Sequence, residues 1–127
     1  MGGCWQAAFK LRITLPFPPA TLSGHANGNN RWGKITETKR WRALARELTL
    51  AQGKCAFPAS GDIAIDVLFV PPDRRGDRWN MPARAKAMID GIADALDVND
   101  KRFLPTIRFG TPEKPGMVIV TIGECNE

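Results

Sequence analysis

Histidine is almost missing from this chain. His25 stands alone, which leaves no base for a Ser-His-Asp triad and no second imidazole for a histidine-rich metal site. Cysteine is scarce and scattered: Cys4, Cys55 and Cys125 are odd in number, far apart and without CxxC spacing. A disulfide framework and a cysteine-rich zinc site are therefore not expected, and a reducing cytosol fits. Long apolar runs are also lacking, and none approaches the length of a membrane span. Residues 1–12 have no signal-peptide apolar core, and Gln6 stands where a myristoylation pattern wants Ser or Thr. There is no repeat, linker or low-complexity tract. These absences leave one cytoplasmic domain with no membrane partner, at a length of 127 residues that allows a single core.

What is present is ordinary in amount and unusual in placement. Hydrophobic content of 43% is enough for a core, and a net charge of +5 is a modest pointer to a polyanionic partner. Arg31, Lys34, Lys39, Arg40, Arg42 and Arg46 face only Glu37 within their window. Arg74, Arg75, Arg78, Arg84 and Lys86 surround the acidic residues Asp73 and Asp77. Cations around a small acidic focus suit phosphodiester chemistry, with arginines on the backbone and carboxylates on a divalent metal. The same composition also fits a solvated loop beside an ordinary amphipathic helix.

Periodicity gives the elements. Residues 9–15 alternate, with Phe9, Leu11, Ile13 and Leu15 on one side, and read as a strand ended by Pro16, Pro18 and Pro19. Residues 23–33 are rich in Gly and Asn and read as a loop. Its Asn27, Asn29, Asn30, Arg31 and Trp32 could touch nucleic acid or simply face solvent. Residues 36–52 read as the first helix, with Trp41, Leu44, Ala45 and Leu48 as its apolar stripe. Thr36 or Thr38 stands in place to cap it, and Gly53 follows where a left-handed residue is wanted. Lys39, Arg42 and Arg46 form a ridge away from the stripe, either a phosphate-binding face or a solvated one.

Residues 62–70 read as the second strand, with Ile63, Ile65, Val67 and Phe69 inward and Asp66 toward solvent. After the stop at Pro71 and Pro72, Asn80 is placed as an N-cap with Pro82 in the first turn. The second helix is expected to bury Ala85, Met88, Ile89, Ile92 and Leu96 and to carry Lys86, Asp90 and Asp94 on the opposite face. Residues 103–109 and 117–122 read as two last strands joined in a hairpin by the Pro- and Gly-bearing residues 111–116. The order β-α-β-α-β-β predicts an α/β domain, one mixed sheet with two helices packed on it.

An ordered set of pieces resembles the RusA family of Holliday junction resolvases, small endonucleases common in phages and prophages. The likeness runs through most of the chain. It takes in Ile13 to Pro19, Asn27 to Trp32, Trp41-Arg42, Pro72-Asp73-Arg74-Arg75, Asp77-x-x-Asn80, Lys86-x-x-x-Asp90-Gly91-Ile92, Ala95-Leu96 and Asn99-Asp100. The resemblance implies Mg2+- or Mn2+-dependent nicking of four-way DNA by a homodimer, in recombination and repair. It implies Asp77 and Asp100 as metal ligands, Lys86 beside the reacting phosphate, Asn80 holding the turn and Asp90 the helix. Arg31, Lys39, Arg42, Arg46, Arg74, Arg75 and Arg78 would bind DNA.

One position departs from the pattern. The family motif reads Asp-x-Asp-Asn, and Trp79 stands at its second aspartate. An indole offers one N–H donor and no oxygen, so it cannot ligate magnesium. The segment reads as extended, where residues two apart point the same way, so Asp77 and position 79 are expected to address the same site. Either Asp73 then supplies the missing ligand, or the site lacks one carboxylate and the protein binds branched DNA without cutting it efficiently.

Overall fold

The computed structural model describes residues 11–22, 31–53 and 57–123, and within them not the side chains of Thr21, Arg31, Trp32 and Lys34. The histidine, all three cysteines, Phe9 and the Asn27, Asn29 and Asn30 amides lie outside the described residues, as do the Arg31 and Trp32 side chains.

Strand β1 (Leu11–Pro16) buries Leu11, Ile13 and Leu15 and exposes Arg12, Thr14 and Pro16, the alternation its sequence predicts. Helix α1 (Arg31–Leu50) starts five residues before the expected boundary, which makes Thr36 and Thr38 helical rather than caps. Gly33 reads as a loop residue in isolation, but one glycine costs a helix only about 1 kcal/mol, and no proline interrupts residues 31–50. Ala45 and Thr49 are buried on its inner side, and the Thr49 hydroxyl donates to the Ala45 carbonyl at 2.7 Å. Gly53 has φ +100°, the left-handed conformation expected just after the helix.

Strand β2 (Ile63–Val70) buries Ile63, Ile65, Val67 and Phe69. The expected second helix is two pieces, α2 (Met81–Arg84) and α3 (Lys86–Leu96), separated at Ala85. Ala85 donates its N–H to the Pro82 carbonyl in a tight turn, while Ile89 donates to Ala85 to begin the regular ladder. Asn80 sits at the N-cap position of α2, but its side chain makes no capping bond there. Helix α3 ends on Asp97 in the left-handed conformation (φ 56°, ψ 47°), and Val98 donates back to the Ala93 carbonyl. This is the geometry that closes a helix with a sharp reversal. Asn99 then accepts from the Lys101 N–H at 2.9 Å and opens a one-turn helix over Asp100–Arg102.

The final strands, β3 (Phe103–Phe109) and β4 (Met117–Ile122), are present but do not form the expected hairpin. The sheet order is β1-β4-β2-β3, so β2 lies between them. Strand β3 runs parallel to β2, with Ile63 opposite Phe103, and β4 runs antiparallel to both β1 and β2. Two residue patterns explain the placement. Val118, Val120 and Ile122 are fully buried and the residues between them are half-buried, which suits a central strand. Strand β3 buries only Phe103 and carries Pro105, which fits an edge. The connecting residues pass the end of β2, where Gly110 donates to Phe69 and Glu113 donates to Pro71.

The result is a single α/β domain with a mixed four-stranded sheet. The core lies between the sheet and the helices, built from Ile13, Leu15, Phe69, Met88, Ile92, Val118, Val120 and Ile122. Helices α1 and α3 meet so closely at Gly91 that an added Cβ would lie 2.1 Å from the Arg42 carbonyl oxygen. Among the described residues no helix is long and apolar enough to cross a membrane.

Candidate functional site

The charged residues of α3 do not all face open solvent. Lys86, Asp90 and Asp94 recur every four residues, so they line one side of the helix. The Lys86 ammonium lies 2.5 Å from Asp90 Oδ1 and 2.8 Å from Asp100 Oδ2. Asp90 is thus one turn along the helix, and Asp100 reaches the same nitrogen because the reversal at Asp97 brings the chain back. Burial disfavours the charge on Lys86, but its bonds to Asp100 and Asp90 outweigh that and raise its pKa above the ordinary lysine value. The Lys86 hydrogen bond in turn holds Asp100 below the usual carboxylate range. An ammonium carries three donors, so one remains for a further acceptor.

Asp94 meets Arg42 of α1 instead. Arg42 Nε and a terminal nitrogen lie 2.6 and 2.9 Å from the two carboxylate oxygens, a bidentate pair. This bond lowers the pKa of Asp94 and raises that of Arg42. The expected ridge of Lys39, Arg42 and Arg46 is therefore divided: Lys39 and Arg46 are exposed, while Arg42 clasps the neighbouring helix. The two partners are 52 residues apart, and no local spacing signals the pair.

The loop between β2 and α2 is a pair of carboxylate-closed turns. Asp73 accepts from the backbone N–H of Arg75 at 2.9 Å and from its guanidinium at 3.0 Å, and these bonds lower its pKa. Asp77 accepts from the backbone N–H of Trp79 at 2.9 Å and from the Asn80 amide at 3.3 Å. The Asn80 N–H also donates to the Asp77 carbonyl. Residues 77–80 are thus a tight turn, not the extended segment assumed above, so Asp77 and position 79 do not share a side by strand alternation. Trp79 projects from the turn with 92% of its surface exposed.

These parts form two neighbourhoods. Asp73, Arg74, Asp77, Arg78 and Trp79 line a cavity of about 620 Å³ with Phe109, Gly110 and Thr111. Lys86 and Asp100 line a smaller one of about 200 Å³ with Pro82, Phe103 and Ile107. Of the expected ligand pair, Asp77 lines the first and Asp100 the second. Among the described residues no three His, Cys, Asp or Glu side chains gather to hold a metal ion.

Phe109 lines the larger cavity and was not foreseen. It stacks on Phe69 at a centroid distance of 5.5 Å, and the Arg78 guanidinium lies 5.9 Å from its ring centre. Its sequence position reads only as the end of a strand, and the placement of β3 on the sheet edge is what brings it beside the turn.

The chain is 34% identical over 128 residues to an uncharacterized protein of Xylella fastidiosa (strain Temecula1 / ATCC 700964). The match covers 96% of this chain and 83% of that protein. The two belong to one family. No protein-family model matches the chain.

Proposed function

We propose that this protein is a RusA-type endonuclease that cuts four-way DNA junctions in recombination and repair, acting in the cytoplasm as a homodimer with Mg2+ or Mn2+. The observation that carries the reading is the Lys86 bridge. A cationic nitrogen with two of its donors satisfied by Asp90 and Asp100 keeps a third for a phosphate oxygen, and a lysine ammonium is charged at neutral pH. Such a group offsets the negative charge that builds on a phosphoryl centre during strand cleavage. Arg74, Arg75 and Arg78 on the β2–α2 loop, with Lys39 and Arg46 on α1, would engage the backbone on either side.

The donor set meets the requirements of a divalent metal only in part. Asp73, Asp77 and Asp100 supply the hard oxygens that Mg2+ prefers. Yet Asp77 and Asp100 line different cavities, and the oxygens of Asp77 close a turn. The described carboxylates therefore do not by themselves make up a magnesium site. This arrangement, together with Trp79 in place of an aspartate, favours a second reading: a junction-binding protein whose cleavage is impaired.

Incubation with a synthetic four-way junction tests both. Mg2+-dependent nicks that disappear in Lys86→Met and Asp100→Asn support the endonuclease. Selective binding without nicks supports the second reading. Equal affinity for the junction and a linear duplex refutes both.

A further inference from the structure

An exposed indole on a rigid turn calls for a partner. Tryptophan is a large aromatic whose burial contributes much, so one left 92% exposed is informative. The Trp79 backbone is fixed by its N–H bond to Asp77, and the next residue is fixed by two bonds to the same aspartate. Beside it, Arg78, Pro82, Ile107 and Phe109 complete an apolar groove of about 420 Å³. Ile107 and Phe109 are themselves 42% and 37% exposed.

Charge decides between occupants. Among the described residues Arg74 and Arg78 form no ion pair, and both lie on the loop that carries Trp79. A second copy docked through this groove about a two-fold axis would bring the two sets of arginines together. An unpaired nucleotide offers what both halves lack, a flat face for the indole and a phosphate for the guanidinium groups.

We propose that the groove formed by Trp79, Pro82, Ile107 and Phe109 binds an unpaired nucleobase of DNA, stacked on the Trp79 indole with its phosphate held by Arg74 or Arg78. The proposal rests on the nucleic-acid reading above and adds to it a base-binding subsite. Such a subsite favours DNA with unstacked bases over continuous duplex.

The test uses the full chain with Trp79→Ala and Trp79→Phe, a labelled short oligothymidylate, and a duplex of the same length. Base-on-aromatic stacking predicts that Trp79→Ala weakens oligothymidylate binding about 5- to 150-fold, that Trp79→Phe restores most of it, and that duplex affinity stays unchanged. Tryptophan fluorescence quenched by oligothymidylate in the unmodified chain should lose that quench in Trp79→Phe. Because the side chain is almost wholly exposed, neither substitution should unfold the domain. Unaltered oligothymidylate affinity in Trp79→Ala, with junction binding intact, removes the base subsite and leaves the proposed function standing. Failure of the unmodified chain to bind any DNA removes both. A dimer that becomes monomeric on Trp79→Ala assigns the groove to a second copy and overturns the proposal.

Discussion

Gly91→Ala tests whether the α1–α3 seam is as tight as it looks. A Cβ at Gly91 would stand 2.1 Å from the Arg42 carbonyl oxygen, 3.0 Å from the Arg42 carbonyl carbon and 3.0 Å from Ala45 Cβ. The first of these is a backbone atom inside α1, so no side-chain rotation relieves the overlap. The helices must separate by roughly 1 Å across a seam that also carries Ala45 and the Arg42–Asp94 pair. Forcing a methyl into a packed contact costs about 1–3 kcal/mol, and a backbone clash belongs at the upper end. Against this, alanine favours a helix over glycine by about 1 kcal/mol. The net expectation is a loss of about 2 kcal/mol. For a domain of this size that lowers Tm by roughly 6–12 °C, read by far-ultraviolet circular dichroism. An unchanged or higher Tm would mean that the helix propensity gain meets no opposing contact and that the seam is not close-packed at Gly91.

Three further outcomes follow from particular contacts. The Arg42–Asp94 pair is bidentate but part-exposed, so a double-mutant cycle with alanine should give a coupling of about 0.5–1 kcal/mol that shrinks with added salt. Asp100, Asp94 and Asp73 all have lowered pKa values, so each contributes stability above its unfolded pKa of about 4 and loses it as pH falls through the folded value. The urea midpoint should therefore drop in acid, and Asp100→Asn should flatten that drop; a midpoint independent of pH would contradict the pairing. Lys86 has the opposite sign: its contribution is complete below about pH 10 and is lost as pH rises through its raised folded value, a limb that Lys86→Met should abolish.

Elements with strong local periodicity were legible in the sequence. The alternation of β1 and β2, the burial of Ala85, Met88 and Ile92 and the left-handed Gly53 follow from residue spacing, whereas Ile89 and Leu96 are only partly buried and Ala87 and Ala93 take buried places beside them. The start of α1 was not, because Gly33 carries the signature of a loop and its cost is small enough for twenty helical residues to absorb. The last two strands were read correctly as strands and wrongly as partners. Proximity in sequence favours a hairpin, whereas the two-sided burial of β4 placed it in the sheet interior. At the site, the helical spacing from Lys86 to Asp90 was visible, and their meeting with Asp100 needed the reversal at Asp97. The turn at residues 77–80 was misread as extended because the Asp77 side chain, not a sheet neighbour, satisfies the backbone there.

A gel assay of the full chain on a four-way junction and on a linear duplex of the same arm sequence, each with and without Mg2+, tests the endonuclease reading. A junction endonuclease should bind the junction in preference to the duplex, more weakly as salt rises, and with Mg2+ should place nicks symmetrically about the crossover that are lost in Lys86→Met. No preference for the junction at any salt concentration, and no nick with Mg2+, would contradict that reading.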